Sequence, residues 1–517
     1  MKFFRVRSIL PDWKNALAAL ASAILLIGAF PDFEFWFLAW FALVPLLWAI
    51  EREKESAVKA FVLGWIFGTV FFFGTCWWLT FAPITYAGFP PVLAYFLMFG
   101  VCLVVGVFPG VFAAVLSLLL KRFGSIAILA VPFVWVFTEF LRYWLTGNDW
   151  NAIGYSQAFA VFTPSYAIVG GVLFVSFACV VLNSFLVFTL LKRDRLSFSM
   201  MVAIWLLVPF IGGSFHFITR FAWDPIAPEA QVIVIQPNVP MSGLTFEKWN
   251  QLRQRHVQLA ESALGRLNQQ QIMNRRQATV IFPESPMNFM YEDDPETREF
   301  INSFAAKNDV SVLFNSAEPD VRNGKYFNSA VMVGPEGKEI AQYDKIYLVP
   351  FGESVPAPLQ SIVPAFVGSF SYGSEYDLFP LGDAKAGVMI CFESHFGQLS
   401  REFVRNGADV LIEMTNDGYL GPTPVLRQHL ANAVFRAVET NRPVLRVTNV
   451  GITAYINERG EVLDPAVPYT EDTRLWSVSK SDGGQTFYVK YGDWFAWLCS
   501  IMTLVLLGIG YFTRKRL

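Results

Sequence analysis

Charge is what this 517-residue sequence has least of: Asp, Glu, Lys and Arg together make up 16% of it, against about 25% in an ordinary soluble domain. That shortage excludes a disordered chain or a coiled coil, both of which need strongly polar sequences. Cysteine and histidine are scarce too, at five and four residues. Five cysteines cannot frame a disulfide-stapled secreted module. Neither C-x-x-C nor H-E-x-x-H occurs, so no metal is expected, and no P-loop or dinucleotide fingerprint points to a nucleotide cofactor. What fills the space is apolar: 54% of residues are hydrophobic, 16% are aromatic and the mean hydropathy is +0.41.

The net charge of −2 hides a division. Residues 222–492 hold 32 of the 42 acids and 23 of the 40 bases, a balance of −9, while the remainder carries +7. A basic, apolar part and an acidic, water-compatible part share one polypeptide. Neither has the basic surface that nucleic acid requires.

Apolar runs of the length that crosses a bilayer (~20 residues) lie at 15–31, 35–50, 60–80, 91–120, 126–145, 166–191, 198–218 and 494–513. They predict eight membrane spans, seven before the polar part and one after it. The first run has a signal peptide's basic start in Lys2, Arg5, Arg7 and Lys14. However, Pro31-Asp32 replaces the small residues of a cleavage site, so it reads as a retained helix. Basic residues collect before the first span, in alternate loops (Arg52, Lys54 and Lys59; Lys121 and Arg122; Lys192, Arg193 and Arg195) and in the tail Arg514-Lys515-Arg516. The intervening loops 32–34, 81–90 and 146–165 have none. Both termini are therefore expected in the cytoplasm, with 222–492 across the membrane. The expected organisation is a seven-helix membrane domain over 1–221, a catalytic domain over 222–492, and an eighth span with a basic tail over 493–517.

Two features of the membrane part invite a functional reading. Glu139 and Arg142 share a helical face, which fits a local ion pair or a headgroup site. The uncharged loop Trp150–Gln157 reads as an interfacial re-entrant segment.

In the polar part, β-rich runs at 232–235, 279–282, 310–314, 330–333, 387–390, 410–412, 444–447 and 453–456 alternate with helical patterns at 246–269, 295–307, 396–406 and 425–440. Layered sheets covered by helices follow from that order. Residues 354–380 carry Pro356, Pro358, Pro364, Phe366, Phe370 and Tyr372 without periodicity, as a lid or a membrane-facing arm would.

Four cysteines fall in predicted spans, and Cys391 stands alone in the polar part. It follows the buried run Gly387–Ile390 and precedes a turn into a helix, an elbow that exposes a nucleophile and aims backbone N–H groups at a developing oxyanion. The same position also suits a buried structural thiol. His395, four residues on, is a candidate partner that the local helix carries past the nucleophile. Glu284, after the strand 279–282, and Lys345, in the apolar setting Tyr343–Glu353, form a stronger set with it.

These three segments, in the order Glu, Lys, Cys, resemble the nitrilase (carbon–nitrogen hydrolase) superfamily, whose members share an αββα sandwich and a Glu–Lys–Cys triad. The run Gly387-Val388-Met389-Ile390-Cys391-Phe392-Glu393-Ser394 is similar to its cysteine motif. Together with the helical membrane bundle, the chain resembles the family of apolipoprotein N-acyltransferases along essentially its full length. Trp150–Gln157, Gln236-Pro237-Asn238-Val239, Leu348–Glu353, Asn416-Asp417-Gly418 and Arg436–Pro443 all carry that likeness.

The resemblance implies Glu284 as general base, Lys345 as oxyanion stabiliser and Cys391 as nucleophile. It also implies Glu353 and Glu393 as supporting acids, and Asn416 and Tyr419 in a loop beside the site. Phe392 and Tyr419 stand where the family pattern has a tyrosine and a tryptophan. The implied reaction moves an acyl chain from a membrane phospholipid to the N-terminal amine of a diacylglyceryl-modified apolipoprotein cysteine, through a thioester and without a cofactor. The implied setting is the bacterial inner membrane, with the catalytic domain periplasmic and the protein a monomer. Phe366 and Phe370, in the apolar loop, are expected to meet the lipid substrates, and replacing either with Asp is expected to slow turnover without unfolding the protein. The competing readings are a membrane-tethered amidase or nitrilase acting on a small C–N substrate, and a non-catalytic binding or transport protein.

Overall fold

The computed structural model describes residues 9–221, 230–267, 278–284, 289–350, 352–355 and 370–514. The chain divides into two compact units. One gathers Met1–Ala222, Leu420–Ala431 and Tyr491–Leu517, and the other Trp223–Tyr419 and Asn432–Lys490.

The first unit is helical. Among the described residues, Ala57–Thr85, Pro91–Thr146, Thr163–Lys192, Arg195–Phe217 and Trp494–Phe512 are long and apolar enough to cross a membrane, and Trp13–Ile27 is a shorter apolar helix. These helices do not confirm eight spans. The 35–50 run becomes a 3-10 turn, Trp36–Trp40, and a nine-residue helix, Val44–Arg52. At 1.5 Å per residue that helix reaches about 14 Å, half a hydrocarbon core. The 91–120 run divides at Gly106 into Pro91–Val105 and Val107–Phe123. Pro91–Val105 leaves Val92, Phe96 and Val104 exposed, an apolar surface of the kind lipid covers.

Helix starts follow ordinary capping chemistry: the side chains of Asp12 and Ser56 accept from the backbone N–H of Lys14 and Lys59. Ala57–Cys76 packs against Val107–Phe123 through Gly64 and Gly68. A methyl group at either would strike Pro109, so glycine is what lets the two backbones approach.

Glu139 and Arg142 are both buried and both hold the loop that follows them. Glu139 Oε1 accepts from Ile153 N at 2.9 Å, and Arg142 Nη1 donates to Trp150 O at 2.9 Å. Residues 150–157 are largely buried and close in a 3-10 turn, Ile153–Gln157.

The second unit holds two sheets. The first is built from β1 (Ala230–Gln236), β2 (Ala278–Ile281), β3 (Ser311–Asp320), β4 (Lys325–Val333), β5 (Glu339–Asp344) and β13 (Asp472–Val478), in the order β13-β1-β2-β3-β4-β5, with β6 (Phe370–Ser371) paired to β4. The second contains β7 (Leu378–Leu381), β8 (Ala384–Ile390), β9 (Val410–Thr415), β10 (Val444–Thr448), β11 (Ala454–Ile456) and β12 (Val462–Leu463), in the order β12-β11-β10-β9-β8-β7. The central strands β1-β2-β3 and β8-β9-β10 run parallel, and the flanking pairs are antiparallel except β4 with β6, which is parallel.

Helices Phe246–Leu264 and Pro295–Asn308 cover the first sheet: Ala260, Ala263, Leu264, Ile301 and Phe304 bury against Ile233, Val280, Val312 and Val331. Gly397–Arg405 covers the second, with Phe403 against Gly387, where a Cβ would clash. Gln236 of β1 accepts from Thr448 of β10 at 3.2 Å, so the sheets meet face to face between the helical layers. This is the αββα arrangement that the resemblance implies. Its parallel strands end on one edge, where α/β folds place their chemistry.

Candidate active site

Three proposed residues stand at strand exits: Lys345 immediately after β5, Cys391 immediately after β8, and Asn416 immediately after β9; Glu284 follows β2 by three residues. A strand exit fixes the backbone through its ladder and frees the next side chain to project. Cys391 turns sharply there, with φ 55°, the left-handed region that costs an L-residue about 1–2 kcal/mol. The strain is confined to the residue whose sulfur the turn presents, as at other nucleophile elbows.

The structure brings Glu284, Lys345, Glu353 and Cys391 together. Lys345 Nζ lies 2.9 Å from Glu353 Oε1 and 3.7 Å from Glu284 Oε1, and its side chain is wholly buried. Asn328, in the middle of β4, donates to Glu353 at 2.6 Å and to Glu284 at 3.2 Å. Asn416 N donates to Glu284 Oε2 at 3.2 Å, and Val349 N to Glu353 Oε2 at 2.8 Å. Cys391 is half-buried as a residue, and its thiol and the Glu284 carboxyl each act on the other's proton affinity.

Burial opposes a charge on Lys345, yet Glu353 and Glu284 beside it outweigh burial and hold the ammonium. Burial raises the Glu284 carboxyl, Lys345 pulling it the other way. Glu353, although also desolvated, stays below the usual range because Lys345 and Val349 N–H favour its anion. Burial and the adjacent Glu284 push the Cys391 thiol well up, and Lys345 opposes them. The resting pair is thus a thiol beside a carboxyl with raised proton affinity, with a fixed cation next to both.

Glu393 belongs to the scaffold of this site. It is fully buried, and its Oε1 accepts from Tyr343 Oη at 2.8 Å, Ile346 N at 2.7 Å and Tyr347 N at 3.0 Å. Its Oε2 accepts from Ile390 N at 2.9 Å. The one carboxyl therefore ties the segment after Lys345 to the residue before Cys391. Desolvation raises it to about 7.

Asn416 is buried in the turn after β9, whereas Tyr419 is 50% exposed. Phe370 is half-buried, and its N–H donates to the Glu353 carbonyl at 3.4 Å. Phe366 lies outside the described residues. His395 is buried, stacks on Phe392 and turns its edge to Phe396. Asn328 and Tyr343 escape a reading of the sequence, although an asparagine within the strand run Lys325–Val333 is a signal of a buried polar role.

Comparison with known proteins gives two family matches. Residues 22–185 match the apolipoprotein N-acyltransferase N-terminal domain, and residues 230–486 match carbon-nitrogen hydrolase. An apolipoprotein N-acyltransferase of Geobacter metallireducens is 30% identical, over 100% of this chain and 99% of its own. Those of Thermotoga maritima (28%) and Pasteurella multocida (27%) are covered to 96% of their length by 98% and 96% of this chain.

Proposed function

The chain belongs to the apolipoprotein N-acyltransferase family, and on that premise we propose that Cys391 carries the acyl group, Glu284 moves the protons and Lys345 stabilises the negative charge. The enzyme is an N-acyltransferase and a membrane protein. Its donor is a membrane phospholipid, and its acceptor is the amine of a diacylglyceryl-modified apolipoprotein cysteine.

In the first half-reaction Glu284 takes the proton of Cys391, and the sulfur attacks the phospholipid ester carbonyl. Lys345 and backbone N–H groups of the elbow stabilise the oxyanion; removing one such donor typically costs about 3 kcal/mol. The C–O bond then breaks, Glu284 returns the proton to the departing glycerol oxygen, and a thioester and a lysophospholipid remain. In the second half-reaction the acceptor amine attacks the thioester. Glu284 takes a proton from the nitrogen and returns it to sulfur as the C–S bond breaks, leaving an amide. Glu353 holds Lys345, and Glu393 fixes the elbow. Phe370, Phe366 and Tyr419 offer apolar contact to the chains, and Asn416 steadies the base.

The single observation that carries this reading is the wholly buried Lys345 Nζ, 2.9 Å from Glu353 Oε1 and 3.7 Å from Glu284 Oε1, at the strand exits that also present Cys391. A small-molecule amidase would use the same set but leaves the helical unit without a role. The bias of Lys and Arg to alternate loops supports cytoplasmic termini and a periplasmic catalytic domain over 222–492, with 1–221 and 493–517 as the membrane segments. The test is steady-state kinetics with phospholipid and a diacylated lipopeptide. Parallel double-reciprocal lines and release of lysophospholipid before acceptor is added are expected, and intersecting lines with no early release contradict the thioester route.

A further inference from the structure

The catalytic scheme leaves unexplained a buried charge cluster under the elbow. Arg446 and Glu413 are both fully buried and face each other as register partners on β10 and β9, in direct ion contact. Arg446 Nη2 also donates to Asp417 Oδ2 at 2.7 Å, and Asp417 is 1% exposed. Taking two carboxylates and a guanidinium out of water is costly, and such clusters are often no more stabilising than apolar residues of the same size. Asp417 also works against the chemistry, since its charge raises the Cys391 thiol. A sequence that keeps an unfavourable anion there, with a cation to offset it, calls for a positional reason.

That reason lies in the turn Thr415-Asn416-Asp417. Its register is set by β8 and β9, which run parallel and end their pairing at Ile390 and Met414, so Cys391 and Thr415 are the next residues along the two segments. Thr415 is fully buried, and it is one of the side chains that hold the proton affinity of the Cys391 thiol down against burial. The Thr415 hydroxyl lies 3.5 Å from Asp417 Oδ1, the long limit of a hydrogen bond. The next residue, Asn416, gives its N–H to Glu284. One turn thus serves both the nucleophile and the base, and its third residue is clamped by Arg446.

We propose that Thr415 is a further catalytic residue, donating its hydroxyl hydrogen to the Cys391 sulfur as the thiolate forms, and that Arg446 is the positioning residue which, through Asp417, holds the 415–417 turn for that purpose. The inference rests on Cys391 being the nucleophile. While the sulfur keeps its proton, the Thr415 hydroxyl points to Asp417. When Glu284 has taken that proton, the hydroxyl rotates about its C–O bond and donates to the anion. No heavy atom moves and no proton is transferred by Thr415, so the rotation adds a donor where charge develops. Glu413 and Asp417 balance the guanidinium from two sides and keep Arg446 from drifting toward the sulfur.

The test measures, in the full-length enzyme in phospholipid vesicles, the pre-steady-state rate of acyl-enzyme formation at Cys391. Thr415→Val is expected to slow acylation at least ten-fold at an unchanged melting temperature, and Thr415→Ser to recover most of the rate. Arg446→Lys keeps the charge but not the two-armed grip, and is expected to lower kcat several-fold while KM for phospholipid holds. Wild-type acylation in Thr415→Val overturns the proposal, and so does a loss that Thr415→Ser leaves unrepaired. If Thr415→Val does not fold, Thr415→Ala takes its place with the same two outcomes. Product formation by Cys391→Ala would instead overturn the nucleophile assignment itself, so the two failures are distinguishable.

Discussion

At the scale of single residues, the site is governed by which charges burial permits. Lys345 keeps its proton because two carboxylates surround it, so Glu353→Gln is expected to remove the stronger of its two partners. The neutral amide leaves the buried ammonium inadequately paired, and kcat is expected to fall at least ten-fold, as read in the phospholipid-to-lipopeptide assay. Glu393 provides a pH signature. Its carboxyl titrates near pH 4.5 in an unfolded chain and at about 7 in the fold, so the folded state holds the proton more tightly. The resulting stability is full below about pH 4.5 and is lost as pH rises through 7, a change on the order of 3 kcal/mol. The melting temperature is accordingly expected to be higher at pH 5.5 than at pH 8, and Glu393→Gln to shrink that difference. A Glu393→Gln protein with the wild-type pH slope would show that another group sets it.

At the scale of elements, the helices and strands differ in how openly the sequence announces them. The β-rich runs at 232–235, 279–282, 387–390, 410–412 and 444–447 coincide with β1, β2, β8, β9 and β10 because strands buried on both faces read as continuous apolar runs. β5, with its pattern Glu339-Ile340-Ala341-Gln342-Tyr343-Asp344, and β13, which includes Asp472 and Arg474, are half-buried and carry too many polar residues to stand out. The candidates Glu284 and Cys391 stand out in the sequence because each follows an apolar run, and Lys345 because it precedes one, 346–350. Thr415, Asn328 and Arg446 do not, since their importance lies in register across strands, which one sequence does not display. The 91–120 run misleads for the opposite reason: unbroken hydropathy conceals the division at Gly106.

Close packing of helices also belongs to this scale. Gly64 faces the Pro109 carbonyl without room for a methyl group, whereas Gly100 faces open space. Gly64→Leu is expected to cost at least 1–3 kcal/mol by overpacking and to lower the melting temperature by several degrees. Gly100→Leu is expected to leave it unchanged. Equal melting temperatures for the two variants would contradict the packing account.

At the scale of the whole molecule, a helical membrane unit and an αββα unit in one chain fit a reaction whose two substrates are both lipid-anchored. A soluble hydrolase of the same superfamily needs no such partner. The proposed topology, with the basic loops in the cytoplasm and residues 222–492 on the other side, follows from the Lys/Arg bias of the short loops. Single cysteines placed at Arg193 and Asp482 in a Cys391→Ala background report on this directly. A membrane-impermeant maleimide added to spheroplasts is expected to label Asp482→Cys and to reach Arg193→Cys only after the membrane is opened. The reverse pattern would invert the topology.

The central claim is that Cys391 carries the acyl chain between two lipid substrates, and intact-protein mass spectrometry after incubation with phospholipid vesicles tests it most directly. The account predicts a gain of one acyl chain that hydroxylamine removes, that a diacylated lipopeptide discharges, and that Cys391→Ala never shows. An unmodified wild-type protein that nevertheless acylates the lipopeptide, or an adduct that persists in Cys391→Ala, would contradict it.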